Sequence, residues 1–373
     1  MHIACMIGSL ARGGSERVMR NLMSYMVEKG HQVTLVTQYK KQDEYPLNSQ
    51  VKRIISDITP EEVGKSRLLN FYRRYRKLRN IWKMEKPDVI LVFIGKNNIM
   101  TLLTSWGLHI PVVVSVRADP NQEYPSGWMR FAARHLFRKA AGVVLQTREC
   151  AQFFPDPVKE KVVILRNPIN SEFFEEPYDG EREHTIIVVG RMDEQKNHQL
   201  LIRAFALLAS EYPDYRVILY GSGEKEGMLR QLVRDLQIEN RVEFAGVVSD
   251  VVGHIKKAGV FVMPSKSEGM PNALIEAMIL GIPVISTDCP CGGPRDLIDH
   301  GKNGLLTPVD DVEKMKENLQ SVLNNSQNAY QMGQNARKTT DVYREEIVYR
   351  EWMDYLMSVA GKTDDSVKIS NSK

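Results

Sequence analysis

Cysteine is scarce in this 373-residue chain. The four residues Cys5, Cys150, Cys289 and Cys291 are scattered, and Cys289-Pro-Cys291 lacks the second ligand pair of a zinc site. A chain of this size needs no disulfide staple, and a reducing cytoplasm fits best. Long apolar runs are missing as well. The longest, such as Val89–Ile94, are strand-sized against the roughly 18 residues that a spanning helix needs. The opening His2-Ile-Ala-Cys-Met-Ile-Gly8 has no basic stretch before it and reads as a first strand rather than a signal peptide. With 43% apolar and 26% charged residues, disordered and collagen-like classes are excluded. Repeats of about 20–50 residues are absent too.

Net charge is small, +4 from 50 Lys+Arg against 46 Asp+Glu, but it is unevenly divided. Up to Phe173 there are 27 basic and 15 acidic residues; beyond it there are 23 and 31. Each part is long enough for its own core, so the split points to two domains with different partners. Strand-like runs alternate with helical patterns: Ile3–Ile7, Gln32–Thr37, Asp88–Ile94, Pro111–Val116, Ala141–Gln146 and Val162–Leu165. After the polar stretch 175–183 the pattern restarts with Thr185–Val189, Arg216–Tyr220, Val242–Phe244, Val260–Met263 and Pro283–Ser286. Strands joined by crossover helices imply parallel, doubly wound sheets. The reading is α/β: a Rossmann-like domain over 1–174, a linker at 175–183 and a second Rossmann-like domain over 184–344. A terminal helix at 345–361 would cross back to the first domain, and a polar tail at 362–373 would be disordered.

Three segments at strand ends carry chemistry. Gly13 and Gly14, between the first strand and first helix, would let a ligand approach backbone N–H groups, although a plain turn uses Gly-Gly too. The segment is not G-x-G-x-x-G, and no acid closes Gln32–Thr37, which weakens a dehydrogenase. Gly190-Arg191 through Lys196-Asn197 follows the first strand of the second domain. Its two cations can converge on one anion, or can simply be solvated. The third runs from Pro264 through Glu268-Gly269-Met270-Pro271-Asn272 to Glu276. A helix begins near Asn272, and a carboxylate suits paired sugar hydroxyls; the plain alternative is a cap and a solvated helix residue.

With Phe244-Ala245-Gly246 and the stretch Ser286–Arg295 added, these motifs resemble glycosyltransferase family 4 from roughly Ile3 to Val359. The resemblance implies a retaining enzyme of GT-B fold, two Rossmann-like domains facing each other across a cleft. It implies transfer of a hexose or N-acetylhexosamine from a nucleoside diphosphate sugar, UDP before GDP, to a lipid-linked glycan in bacterial surface polysaccharide synthesis. By the same resemblance Arg191 and Lys196 hold the diphosphate, so that no metal is required and no cofactor is used. The amides of Gly14 and of Met270–Asn272 complete that cradle, and Gly13, Gly190 and Gly269 belong to the same donor site. Glu268 meets the donor sugar, Glu276 the ribose, and the backbone at Gly246 and Val247 the base. Many members carry a histidine after the strand corresponding to Val112–Val116; here Arg117 and Asp119 stand in that region, at the expected donor–acceptor junction. The alternatives are a catalytically silent scaffold subunit and a GT-B UDP-sugar epimerase.

The basic half has a focus of its own. Lys65, Arg67, Arg73, Arg74, Arg76, Lys77 and Arg79 lie in a helical stretch whose apolar stripe, Leu68, Phe71, Tyr75, Leu78 and Trp82, is expected on the sheet. The charge suggests an anionic membrane surface, joined by Arg130, Arg134, Arg138 and Lys139. Charge alone does not exclude nucleic acid, but no aromatic-interleaved recognition module accompanies it, so none is expected as a partner. The expected location is cytoplasmic, peripheral on the inner face of the plasma membrane.

Overall fold

Runs of Val, Ile and Leu buried on both faces can only be satisfied in a sheet covered by helices on either side, which favours parallel pairing. The computed structural model describes residues 1–11, 13–174 and 178–362 and shows two such sheets. The first contains β1 (His2–Ile7), β2 (Gln32–Thr37), β3 (Lys52–Ile55), β4 (Val89–Phe93), β5 (Val112–Ser115), β6 (Gly142–Leu145) and β7 (Val162–Ile164). Its order is β3-β2-β1-β4-β5-β6-β7, with every neighbouring pair parallel. The second contains β8 (Glu183–Val189), β9 (Arg216–Tyr220), β10 (Val242–Gly246), β11 (Ala258–Met263), β12 (Val284–Thr287) and β13 (Leu305–Thr307). It is also all-parallel, in the order β10-β9-β8-β11-β12-β13.

In each sheet the strand order reverses once, at β1/β4 and at β8/β11. Such a reversal sends successive crossovers to opposite faces and opens a crevice beyond the carboxyl ends of the two central strands. Two strands have no counterpart in the sequence reading. β3 is a half-exposed edge strand carrying Lys52 and Arg53, and β13 has three residues, so neither shows an apolar run.

The described residues form two compact units, the first built from the chain up to residue 167 with the segment 346–362, and the second from residues 168–345. The expected boundary at 174 lies seven residues late, because Ile169 and Phe173 are buried in the core of the second unit. Of the expected linker and tail, residues 175–177 and 363–373 lie outside the described residues. The helix Glu345–Val359 packs Val348, Trp352, Met353 and Leu356 into the first unit's core, beside Ile3, Cys5 and Ile7 of β1. Trp352 Nε1 donates to Arg166 O at 2.9 Å, and Arg166 pairs with Glu351 at 2.9 Å.

The basic helix Arg67–Glu85 departs from expectation. Leu78 and Trp82 are buried as the stripe requires, but Leu68 is 82% exposed and Phe71 49%. The reason is length. This helix has 19 residues and its packing neighbour Gly95–Ser105 has 11. At about 1.5 Å per residue the longer one overhangs by roughly 12 Å. Among the described residues, no helix is long and apolar enough to cross a membrane.

Because Trp352 fills the first unit's core from the far end of the chain, Trp352→Ala should cost about 3–5 kcal/mol. A urea titration should show the unfolding midpoint falling accordingly. An unchanged midpoint would mean that the terminal helix does not belong to that core.

Candidate active site

In the second unit the two cation- and carboxylate-bearing segments emerge from β8 and β11, the strands at the order reversal. The sheet therefore brings residues about 70 positions apart side by side. Lys196 Nζ donates to Glu268 Oε1 at 2.6 Å, with side-chain exposures of 22% and 9%. Polar residues that the sequence reading did not single out stitch the same loops. Gln195 Nε2 donates to Ser267 O at 2.8 Å, and Gln195 O accepts from Lys266 N at 2.8 Å. Glu194 pairs with both Lys266 and Lys225, and the Lys266 ammonium first, then Lys225, holds its carboxyl below the usual range. Asp193 accepts the Lys196 N–H at 2.9 Å and pairs with the exposed Arg191 at 3.1 Å. An Asp three residues before the N–H it accepts is the one sequence signal that could have marked this turn.

Glycine sets how tightly these loops lie. A Cβ on Gly221, at φ +128°, would strike the carbonyl of Gly190, and one on Gly293 would strike that of Gly269. Gly246, at the end of β10, accepts from Gly221 N at 2.7 Å, and Val247 beyond it is exposed. Pro271 stands at the N-cap of the helix Asn272–Ile279 and has no N–H, so it cannot contribute to an amide cradle as expected. Its carbonyl accepts from Leu274 and Ile275. Glu276, one turn into this helix, is buried rather than solvated. Cys289 is packed beside Glu268, and burial, with that carboxylate second, pushes its thiol up to about 12.

The first unit has its own crevice at β1/β4. A pocket of about 410 Å3 is lined by Gly8, Ser9, Glu16, Ile94, Gly95 and Glu123 among others. Gly13 caps the helix Gly14–Glu28, whose first residue is Gly14. Arg117 is not presented to solvent. It is buried, its guanidinium lies 4.5 Å from the Phe93 ring centroid, and it donates to Asn167 Oδ1. Burial lowers it to about 9, with Glu123 opposing the shift. Asp119 caps the short helix Pro120–Glu123, accepting from Asn121 N at 2.8 Å. The structure thus buries the Arg117 guanidinium against Phe93 and makes Asp119 the cap of a short helix. Among the described residues, no group of three or more His, Cys, Asp and Glu could hold a metal ion.

Of the basic residues on Arg67–Glu85, Arg74 pairs with Asp57 at 2.6 Å, and Arg73 and Lys77 donate to the carbonyls of Glu62 and Asp57. Arg79 donates to Thr104 O and Trp106 O, and Arg76 lies near the Tyr72 ring. Lys65 and Arg67 are exposed.

Two family models match the chain. Glycosyltransferase Family 4 covers residues 12–173, and Glycosyl transferases group 1 covers residues 170–339. The chain belongs to glycosyltransferase family 4. An uncharacterized glycosyltransferase of Haemophilus influenzae is 25% identical to this glycosyltransferase, over 92% of this chain and 96% of its own. A Campylobacter jejuni enzyme is 26% identical over 96% of this chain and 99% of its own. Its name is GalNAc-alpha-(1->4)-GalNAc-alpha-(1->3)-diNAcBac-PP-undecaprenol alpha-1,4-N-acetyl-D-galactosaminyltransferase. Among solved structures, Anabaena HepE in complex with UDP-glucose aligns with a TM-score of 0.81 at 18% identity, covering 96% of this chain and 100% of HepE. The fold of this glycosyltransferase is GT-B.

His198, next to Lys196, supplies a pH test of this loop. It is 1% exposed, and neither ring nitrogen meets a hydrogen-bond partner among the described residues. Burial, then the neighbouring Lys196 charge, lowers its pKa to about 4. Between the ordinary value near 6.5 and about 4 the unfolded chain takes up a proton that the native state refuses. Stability should therefore fall as pH falls through that window, by on the order of 3 kcal/mol. Urea midpoints measured across it should fall less steeply for His198→Gln than for the wild type; parallel curves would refute the assignment.

Proposed function

We propose that the enzyme transfers a hexose or N-acetylhexosamine, with retention of configuration, from a UDP-sugar to a lipid-linked glycan in bacterial surface polysaccharide assembly. The observation that carries this reading is the Lys196–Glu268 pair at the β8/β11 crevice. It sets a cation for a diphosphate beside a carboxylate for sugar hydroxyls. UDP is favoured by the HepE complex, and a lipid-linked acceptor by the Campylobacter relative's named substrate. Peripheral contact with the inner face of the plasma membrane would follow from such an acceptor.

In this reading Arg191 and Lys196 stabilise the charge that develops on the departing diphosphate, as preorganised donors rather than a metal, so no metal is needed. The N-terminal backbone of the helix Asn272–Ile279 adds its dipole. Glu268 orients the sugar, Glu276 receives the ribose hydroxyls, and the backbone at Gly246 and Val247 meets the base. The leaving phosphate oxygen takes the acceptor's proton, so a separate base is not required. Arg117 and Asp119 shape the loop after β5 instead of meeting the reacting atoms.

UDP release from a panel of UDP-sugars, with lipid extract supplying acceptor, tests the reading. Lys196→Ala should lower turnover by about 10²–10³. Nucleotide binding without turnover for any donor would favour the silent scaffold. A second measurement addresses the metal: EDTA should leave the rate unchanged, and a loss restored by Mg²⁺ or Mn²⁺ would overturn that part.

A further inference from the structure

The helix Gly127–Leu136 and the turn Phe137–Lys139 carry a site that the transfer chemistry does not use. Met129, Ala133 and Phe137 are buried inward. Arg130, Arg134 and Arg138 repeat at four-residue spacing, which places three cations along one ridge. With Gly127, Phe131, His135 and Pro155 they line a depression of about 370 Å3. Like charges so spaced oppose one another, and among the described residues none of the three guanidiniums pairs with a carboxylate.

Two of them are nevertheless held in place. Arg130 Nη1 donates to Pro125 O at 3.2 Å, and Arg134 lies 6.0 Å from the Phe153 ring centroid. His135 stacks on Phe131 with centroids 4.0 Å apart and donates from Nδ1 to Phe131 O at 2.8 Å. Beside the depression Trp128 and Phe131 are 63% and 64% exposed. The basic helix Arg67–Glu85 differs, since several of its cations are already engaged with Asp57 or with carbonyls.

We propose that this depression binds the phosphate headgroup of an anionic phospholipid, with Trp128 and Phe131 entering the bilayer interface. The site rests on the proposed function, whose lipid-linked acceptor must be met at a membrane. Guanidiniums suit phosphate because they donate in pairs to adjacent oxygens. An exposed Trp and Phe at the rim suit the boundary between headgroups and hydrocarbon, which a free phosphate or a nucleic acid backbone would not engage. Position supports it too. Met129, on the same helix, lines the first unit's pocket, so a headgroup held here would bring the bilayer beside that pocket.

The test uses the full chain in flotation with two vesicle compositions, phosphatidylcholine alone and phosphatidylcholine mixed with phosphatidylglycerol. Wild type should favour the anionic vesicles by at least about tenfold, and Arg130→Gln/Arg134→Gln/Arg138→Gln should abolish that preference. Trp128→Ser/Phe131→Ser should weaken binding to the anionic vesicles several-fold. Arg73→Gln/Arg74→Gln/Arg76→Gln should change it less than the first triple variant. Circular dichroism confirms that each variant folds. Equal binding by wild type and the first triple variant would overturn the proposal. So would release of wild type from vesicles by inorganic pyrophosphate at the same ionic strength as a chloride control, which would mark a free-diphosphate site. UDP release in detergent solution separates the two readings. It should be unchanged in the arginine variant, and if wild type shows none, the transferase reading fails while the vesicle result stands by itself.

Discussion

The ion pair between Lys196 and Glu268 rests on the one constraint that organises the second unit, the reversal of strand order at β8/β11. All strands of the sheet run one way, so all their following loops gather at one edge. Only at the reversal do two neighbouring loops lead to opposite faces and leave a crevice between them. A half-buried ion pair is weak evidence of stability, because desolvation offsets the attraction. Its significance is positional. Lys196 is already stripped of much of its water, and the contacts of Asp193 and Gln195 fix the loop that carries it, so on the proposed reading only its side chain has to turn toward an anion.

How much of this was legible in the sequence depended on what each feature leaves behind. Central strands were legible because burial on both faces forces an uninterrupted apolar run, and the motifs because their glycines and charges sit directly after such runs. The polar clasps were not. Glu194 and Gln195 look like any solvated loop residues until β11 brings Lys266 and Ser267 alongside. The exposed start of the helix Arg67–Glu85 was illegible for another reason. Periodicity reports which positions share a face, while the length of the neighbouring helix decides how much of that face is covered. Arg117 shows the same limit for charge, since nothing in Ser115-Val-Arg117 announces that Phe93 and Trp352 will take up its guanidinium.

Charge by halves likewise gave a sign but no address. Much of the positive excess on Arg67–Glu85 is tied to Asp57 and to carbonyls, which fix the side chains without cancelling most of the charge. On Gly127–Leu136 and the turn after it, Arg130, Arg134 and Arg138 keep their charge and, among the described residues, have no acidic partner. A long-range attraction therefore belongs to both helices, whereas specific recognition is expected where the cations converge without a carboxylate beside them.

The two units use a carboxylate at comparable places to different ends. In the first, Glu123 reaches from the segment after β5 to Gly95 N, just after β4, at 2.6 Å, and also accepts from Arg117 N at 2.8 Å and Ala118 N at 3.2 Å. It holds Gly95 at φ +45° beside Ile94 at φ +75°, a conformation that a β-branched residue adopts only under constraint. Burial raises the Glu123 pKa despite these three N–H donors. Both of its oxygens are occupied by backbone that cannot move away, so it is a clasp that shapes a pocket wall. Glu268 meets instead the end of a lysine side chain, whose ammonium has three donors and a flexible stem. That partner can turn toward a phosphate without disturbing the backbone. The difference between an amide and an ammonium partner is what makes one carboxylate architectural and would let the other, on the proposed reading, engage a substrate.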